Sequence, residues 1–549
     1  MTTATASTPR TFLGHPSALF MLFFAEMWER FSFYGMRALL VLYMMQGFLE
    51  MGDADAYGVY GAYGALVYAT PFIGGAIADR FLGARRAVVL GGILMAAGHL
   101  LMSIEQSTAF YTALALLIVG NGFFKPNIST IVGSLYDGTD LNRDGGFTIF
   151  YMGINLGAAS ASLLCGYLGQ TYGWHFGFGL ATFGMLIGIA IFVLPASVSR
   201  VMILLGALSV AGGMVWASEG MVKLAVNGFV AAAMAIAGVL AFLAMAEGGL
   251  PEEAGQPPEP EALKKPMAGL PAEYLLYLGV LLSVPVFALL VNRNEIAGWV
   301  LTLGGGAALL FLVYEAFKSD KVEREKLFVV FVLMFFSMLF WAFFEQAGSS
   351  MTAFTDRNVN RLVGGAEIPA SEFQAANPIF IIIFAPVFSM LWERLGSLEP
   401  STPAKFALGL FQLGLGFLAL NYGAMNADGD GMVAVYWLIL AYLLHTTGEV
   451  CLSPVGLGMV TRLSPQRIVS TVMGAWFLAT AFSHHLAALI AIFTAVDSHG
   501  GGDDAATSAV DTVMVYGDVF GAIGWVALGA SALCMLLVPV LKAWMHGEK

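Results

Sequence analysis

Long apolar stretches recur along almost the whole chain and restrict it to folds that a membrane allows. An α-helix needs about 20 apolar residues to cross the bilayer core. Sixteen spans are predicted, at 17–48, 56–78, 86–104, 108–135, 146–169, 175–195, 200–217, 224–246, 273–291, 297–317, 327–354, 373–392, 404–422, 432–460, 467–494 and 516–541. We therefore predict an all-α integral membrane protein, because each helix satisfies its own backbone hydrogen bonds in lipid.

The composition excludes several classes of protein. Of the 549 residues, 58% are hydrophobic and 11% are charged, whereas soluble domains carry about 25% charged residues. No basic patch with interleaved aromatic residues is present, so nucleic acid is not an expected partner. The three cysteines, Cys165, Cys451 and Cys534, lack the spacing of a metal site or disulfide framework. The sequence contains no nucleophile–base set, so an enzyme is not expected. Neither a metal nor another cofactor is expected.

The basic residues predict how the spans are oriented. With the N-terminus in the cytoplasm, 18 of the 25 Lys and Arg residues lie inside and 4 lie outside, while Arg30, Arg37 and Lys125 fall within spans. Cytoplasmic loops of membrane proteins carry an excess of Lys and Arg. The sequence therefore predicts a multi-pass protein of the plasma (inner) membrane with both termini in the cytoplasm.

A Pro- and Glu-rich stretch at 248–271 predicts a cytoplasmic linker in the middle of the chain. Two additional spans precede it, two follow it, and six spans remain on either side. The fourth spans of the two halves align on Pro126 and Pro454, and parallel six-helix repeats are typical of transporters with a site at the membrane midplane. The predicted parts are an N-terminal six-helix bundle (1–197), an inter-bundle region with about four additional helices and the linker (198–326), and a C-terminal six-helix bundle (327–549).

Ionisable residues within the spans are the strongest sign of function. Each costs on the order of 3 kcal/mol at the bilayer centre, so these side chains must pair with one another, face a water-filled cavity or carry neutral forms. They are Glu26, Glu29, Arg30, Arg37, Lys125, Glu345 and Glu449. In the first span, Glu26, Arg30, Tyr34 and Arg37 recur along one stripe of a helix, with Glu29 at its edge. The stripe predicts either a central pathway or ion pairs that only hold helices together.

The signs of these charges differ between the halves. The first half supplies Arg30, Arg37 and Lys125, and the second supplies Glu345 and Glu449. A small zwitterion would fit between them, with its carboxylate toward the basic residues and its amine toward Glu449. Buried carboxyl groups can also take up and release protons. The histidines of the spans (His99, His445, His484 and His485) are interpreted as packing residues.

Seven segments of the chain resemble a known family. They are EMWERFSFYGMRALL at 26–40, GGAIADRFLGARRAVVLGG at 74–92, GNGFFKPNIST at 120–130, FYMGINLGA at 150–158, FWAFFEQAGSS at 340–350, NPIFIIIFAPVFSMLWERLG at 377–396 and GEVCLSPVGLGMVTRLSP at 448–465. At these residues the chain resembles the proton-dependent oligopeptide transporters of the major facilitator superfamily. The resemblance implies proton-coupled symport of di- and tripeptides into the cell by alternating access. Protons are the coupling ion, no cofactor is implied, and a monomer in the lipid bilayer is expected.

The resemblance also implies roles for single residues. The residues implied in proton coupling are Glu26, Glu29, Arg30 and Glu345. The residues implied in peptide binding are Arg30, Arg37, Lys125, Tyr34, Tyr68, Asn155, Asn377, Glu449, Ser453 and Trp476. Two ion pairs are implied as gates, Arg37 with Glu345 on the extracellular side and Lys125 with Glu449 on the cytoplasmic side.

Some features depart from the family pattern or leave alternatives open. Phe33 stands where many members have a tyrosine. No histidine lies between His15 and His99, so the histidine that animal members have in the second span is absent. Carboxyl groups must take over the role of that histidine. The residues 198–247 form an additional hairpin of unknown role. One alternative function is a proton-coupled facilitator of another small anion or zwitterion, such as nitrate or a drug. Another is a membrane receptor that binds peptides without transporting them.

Overall fold

The computed structural model describes residues 11–136, 142–267, 269–496 and 508–547, without the side chains of 453–455, 457 and 470. Most of this part of the chain is helical. The helices are α1 (Ser17–Gln46), α2 (Asp53–Ile77), α3 (Ala84–Leu101), α4 (Ser107–Ser134), α5 (Arg143–Tyr172), α6 (Trp174–Val193), α7 (Ala196–Trp216), α8 (Gly220–Ala244), α9 (Pro260–Lys264), α10 (Ala272–Asn292), α11 (Asn294–Lys318), α12 (Lys321–Phe344), α13 (Ser350–Asn358), α14 (Ala376–Leu395), α15 (Thr402–Met425), α16 (Val435–Leu463), α17 (Val469–Ile492) and α18 (Ala509–Trp544).

The strands are two-residue bridges in the connections between helices. They are β1 (Thr11–Phe12), β2 (His15–Pro16), β3 (Pro266–Met267), β4 (Leu270–Pro271), β5 (Val359–Asn360), β6 (Leu362–Val363), β7 (Ala366–Glu367) and β8 (Val433–Ala434). β1 pairs with β2 and β3 with β4, both antiparallel, and β5 runs parallel to β8. These bridges are too short to alter the predicted all-α class.

The long helices coincide with the predicted spans. Among the described residues, fifteen helical stretches are long and apolar enough to cross a membrane. The remaining long helix is α1, which has 30 residues and contains Glu26, Glu29, Arg30 and Arg37. The prediction of an all-α integral membrane protein is confirmed. The four charged residues distinguish α1 from the other fifteen long helices, and they belong to the charged stripe that the sequence predicts.

The described residues cluster into two compact units. The first unit comprises those of 1–36, 70–286 and 364–366, and the second comprises those of 37–69, 287–363 and 367–549. The end of α1 and most of α2 therefore pack with helices of the second half of the chain. The bundle boundaries that the sequence predicts stay a prediction.

Small residues bring the helices of the first unit close to α1. Gly153 and Gly157 are one turn apart on α5, and a Cβ added at Gly157 would lie 2.3 Å from the Met27 carbonyl oxygen. On α6, an added Cβ at Gly184 would lie 2.8 Å from the Phe31 ring. α5 and α6 thus pack tightly against α1 along its charged stretch, and this close packing restricts movement of the α1 backbone.

The two halves of the chain repeat one packing arrangement. The third helix of each half packs on the fourth and the sixth, as α3 does on α4 and α6, and as α15 does on α16 and α18. In the first half, a Cβ added at Gly91 would lie 2.5 Å from the Gly120 carbonyl oxygen, and one added at Gly120 would lie 2.7 Å from the Gly91 carbonyl oxygen. In the second half, the corresponding distances are 2.9 Å from Gly409 to the Gly448 oxygen and 2.7 Å from Gly448 to the Gly409 oxygen. The second glycine of each pair lies six residues before the proline on which the sequence aligns the halves. The repeat seen in the sequence therefore has a structural counterpart.

The three cysteines are all free thiols and all buried. Cys165 lies on α5 against α1, where a Cβ added at Gly35 would approach its sulfur to 2.6 Å. They behave as small apolar side chains of the helix interfaces.

Candidate functional site

The charged stripe of α1 forms a buried cluster in the first unit. Arg30 donates a hydrogen bond from Nη2 to Glu29 Oε1 at 2.7 Å, and its Nε contacts Glu29 Oε2. The same Nε lies 3.3 Å from Glu26 Oε1, and none of the three side chains is more than 3% exposed. Within the part of the chain that the structure describes, Glu26 Oε2 has no hydrogen-bond partner. A proton on Glu26 would therefore leave the contact between Arg30 and Glu29 intact.

Lys125 supplies a second positive charge to this cluster. It lies half-buried on α4 and interacts electrostatically with both Glu26 and Glu29. The next residue is Pro126, which has no N–H to donate to the Gly122 carbonyl one turn earlier. A Cβ added at Gly74 of α2 would lie only 2.1 Å from that carbonyl oxygen. The proline and the glycines thus let α2 approach α4 closely beside Lys125.

Phe33, Tyr34 and Asn155 are the other residues of the first unit that the sequence analysis singled out. The Phe33 ring lies under the guanidinium, with 5.2 Å between Cζ and the ring centroid, so the residue that departs from the family pattern offers a cation–π contact. Tyr34 is half-buried and meets Phe33 edge to face at 5.3 Å. Asn155 is buried, and its amide donates to the Tyr151 carbonyl of its own helix at 3.0 Å.

The second unit contains a part-buried ion pair between α1 and the end of α12. Arg37 Nη2 lies 2.5 Å from Glu345 Oε2, and Arg37 Nε donates to the Tyr60 hydroxyl at 2.8 Å. Glu345 opens a 3₁₀ turn, Glu345–Gly348, that separates α12 from α13. A Cβ added at Gly348 would lie 1.8 Å from the Tyr60 hydroxyl oxygen. Only glycine fits at this point of the turn.

His484 of α17 completes the surroundings of this ion pair. Its Nδ1 lies 3.7 Å from Glu345 Oε2, and its ring stacks on Tyr68 of α2 with the centroids 4.5 Å apart. The sequence interpretation of His484 as a packing residue missed the contact with Glu345. The sequence did offer one sign of this contact: His484 is a titratable residue in an apolar span, and other spans of the chain also contain ionisable residues.

Asn377 and Glu449 meet elsewhere in the second unit. Asn377 Nδ2 donates to Glu449 Oε2 at 2.8 Å and lies 3.1 Å from Thr446 Oγ1. Thr446 precedes Glu449 by three residues on α16, so both face α14, and this spacing could have identified Thr446 from the sequence. Glu449 is 7% exposed.

The remaining predicted residues also belong to the second unit. Trp476 is buried, and a Cβ added at Gly456 would lie 2.8 Å from its ring. Tyr68 is half-buried against His484. Ser453 lies on α16, but its side chain is outside the described part of the structure. Of the two predicted gate pairs, Arg37 and Glu345 are in contact, and the pairing of Lys125 with Glu449 stays a prediction.

These observations define a class of protein. Helices that repeat in two halves, with ionisable side chains buried among apolar ones, are characteristic of secondary transporters. In the described ranges, no cluster of His, Cys, Asp or Glu could hold a metal ion. The protein belongs to the class of multi-pass membrane transporters.

Known proteins narrow the class to one family. The POT family model matches residues 85–201 and 301–505, more than half of the chain. The chain is 36% identical to peptide transporter YePEPT of Yersinia enterocolitica over 88% of both proteins, and 31% identical to dipeptide and tripeptide permease B of Shigella dysenteriae over 98% of both. A crystal structure of peptide transporter POT in complex with sulfate matches with a TM-score of 0.73 and 33% identity over 98% of both chains. The chain belongs to the POT family, which confirms the family predicted from its motifs.

Proposed function

We propose that the protein imports di- and tripeptides together with protons by alternating access. The observation that carries this proposal is the contact between Arg37 and the buried Glu345, at 2.5 Å within membrane-spanning helices. An isolated charge is expensive at that depth, and a proton on Glu345 removes the partner of Arg37. The printed names of the relatives, a dipeptide and tripeptide permease and a peptide transporter, support peptides as the substrate.

The positive residues of the first unit are proposed to bind the peptide carboxylate. Arg30 and Lys125 lie beside the same two glutamates, and their charges suit a carboxylate, which an arginine can hold through two hydrogen bonds. Arg37 contributes a further positive charge. We propose that the arrival of a carboxylate competes with Glu26 and Glu29 for these cations.

The peptide amine and backbone are proposed to bind Asn155, Asn377 and Glu449. The carboxylate of Glu449 suits an ammonium group, and its bond with Asn377 fixes its orientation. Side chains of the peptide would then lie against the proposed pocket residues, which are Tyr34, Tyr68, Ser453 and Trp476.

Protons are proposed to act on Glu345 and on the pair Glu26 and Glu29. On the outside, a proton on Glu345 releases Arg37, and the peptide enters. On the inside, where the pH is higher, the proton leaves and the ion pair forms again. Lys125 and Glu449 are proposed as the cytoplasmic gate, and the membrane potential contributes about 2.3 kcal/mol per charge and 100 mV.

The setting of this activity is part of the proposal. The excess of basic residues in alternate loops supports cytoplasmic termini and a location in the inner membrane. We propose that a monomer in the lipid bilayer is the functional unit.

Uptake into liposomes tests the proposal. Purified protein is reconstituted, and entry of a labelled dipeptide is measured with an inward proton gradient, without a gradient, and after a protonophore has collapsed it. We expect accumulation only with the gradient, and competition by unlabelled di- and tripeptides but not by nitrate. Gradient-driven uptake that nitrate or a drug blocks and peptides do not would favour the facilitator, whereas peptide binding without uptake would favour the receptor.

A further inference from the structure

We propose that His484 is a positioning residue for proton coupling, which delivers the proton to Glu345 and sets the pH at which the Arg37–Glu345 ion pair opens. This inference rests on the proposed proton-coupled transport and adds a proton carrier to it. It concerns a histidine of α17 that the sequence analysis interpreted as a packing residue.

An arginine and a histidine converge on one carboxylate oxygen. Glu345 Oε2 lies 2.5 Å from Arg37 Nη2 and 3.7 Å from His484 Nδ1. The side chains of Glu345 and His484 are 5% and 7% exposed, so water screens their interaction little. A charge on His484 would therefore act directly on the ion pair.

The position of the imidazole ring is fixed by α2. The ring stacks on Tyr68 with an angle of 24° between the planes. A Cβ added at Gly64 would lie 2.8 Å from His484 Nδ1, and one added at Gly61 would lie 2.2 Å from the Ala488 Cβ. Two glycines one turn apart thus let α2 and α17 approach until Nδ1 is held near Glu345.

The charged and titratable groups around His484 are contributed by several helices. Glu345 follows α12 and Arg37 is on α1, while α2 contributes Tyr60 and Tyr68. α16 contributes Glu449 and Tyr442, both of which interact electrostatically with Arg37. The middle of α11, residues 296–314, contains no charged residue. Among the described side chains, Glu345 is the carboxylate that lies within 4 Å of the His484 ring.

The chemistry follows from this geometry. Histidine is the side chain whose ordinary charge change falls between pH 5 and 8. A proton from outside water makes His484 an imidazolium, which attracts Glu345 and repels Arg37. Transfer of that proton breaks the N–H bond of the imidazolium and forms an O–H bond on Glu345. Both residues are then neutral, and Arg37 has lost its partner.

The chain provides a matched control at the next position. His485 points toward α11, where a Cβ added at Gly298 would lie 2.6 Å from its ring, and its ring packs against Phe482 at 5.9 Å. In the described part of the chain, it makes no ion pair with a carboxylate. A change at His485 alters the same helix and removes the same kind of side chain without touching Glu345.

The test compares His484→Gln with His485→Gln in liposomes. Dipeptide uptake is measured at a fixed internal pH while the external pH is varied, and counterflow exchange is measured at equal pH. Without His484, the proton must reach Glu345 against the charge of Arg37, so we expect the external-pH midpoint to move to lower pH by about one unit. We expect counterflow to stay within about twofold of wild type, because peptide binding is retained. His485→Gln is expected to behave as wild type.

Each other outcome decides against a specific statement. An unchanged pH midpoint in His484→Gln, with wild-type uptake driven by the gradient, would overturn the role of His484 alone. Equal loss of gradient-driven uptake and counterflow would assign His484 a structural role and also overturn the inference. Wild-type protein without gradient-driven uptake would overturn the proposed function and this inference with it. If His484→Gln is not recovered as monodisperse protein, His484→Asn is measured against the same criteria.

Discussion

The two arginines of α1 are paired in different ways. In the first unit, Arg30 contacts two glutamates of its own helix, one and four residues before it. In the second unit, Arg37 contacts Glu345, which lies 308 residues away in the sequence. The ion pairs of Arg30 form within one helix, whereas the ion pair of Arg37 exists only when distant helices are packed together.

The difference indicates different tasks for the two arginines. A contact within one helix does not depend on helix movement, so the cluster of Arg30 can keep its geometry while protons and peptide bind. A contact between helices breaks when the helices separate, so the pair of Arg37 and Glu345 is suited to gating. Substitutions can separate these tasks, because each cluster has one arginine.

The largest effect is expected from Arg30→Ala. Removal of the guanidinium takes away the cation that directly contacts Glu26 and Glu29, and breaking a buried ion pair in this way costs about 3–5 kcal/mol. We expect proton-driven uptake to fall by more than about 100-fold, and Arg30→Lys to recover only part of it, because lysine cannot form the two-pronged contact. Near-normal uptake by Arg30→Ala, in protein that remains monodisperse, would contradict the proposed role in carboxylate binding.

A more selective effect is expected from Glu345→Gln. Glutamine cannot bind or release the coupling proton, so gradient-driven uptake should fall about tenfold while counterflow exchange changes little. The matched substitution Glu26→Gln leaves the contact between Arg30 and Glu29 in place, and we expect about a threefold loss of uptake. Uptake and counterflow measured side by side check both variants. An equal loss of both modes in Glu345→Gln would indicate a structural or substrate-binding role instead.

The smallest effect concerns the glycine pairs of the repeated halves. A Cβ added at Gly91 would lie 2.5 Å from the Gly120 carbonyl oxygen, whereas one added at Gly409 would lie 2.9 Å from the Gly448 carbonyl oxygen. Overpacking costs about 1–3 kcal/mol, so Gly91→Ala should destabilise the protein more than Gly409→Ala. Thermal unfolding in detergent measures the difference. Gly304→Ala on α11 is the control, since its added Cβ meets nothing within 4 Å, and a melting temperature as low as that of Gly91→Ala would refute the comparison.

Hydropathy was sufficient to predict the long helices, because each apolar stretch is long enough by itself to cross the bilayer core. The contact of Arg30 with Glu26 followed from their i, i+4 spacing. The 3₁₀ turn at Glu345–Gly348 was not visible, since its glycine is needed only for the approach of Tyr60 from α2. Such contacts depend on tertiary packing, which no local pattern encodes.

The same limit applies to the polar groups of the second unit. The contact of Arg37 with Glu345 was expected only through family resemblance, because no spacing links residues so far apart. The contact of His484 with Glu345 was missed, because a single histidine in an apolar span has no periodic partner. The functions assigned to these residues stay predictions until transport is measured.

The burial of all native cysteines makes the wild-type chain a ready background for fluorescent labelling. Thiol reagents react with exposed thiolates, and Cys165, Cys451 and Cys534 are all enclosed by helices. A cysteine introduced at an exposed loop residue such as Asp430 would be modified first. A dye at that position could report opening and closing in real time without prior removal of any natural sulfur.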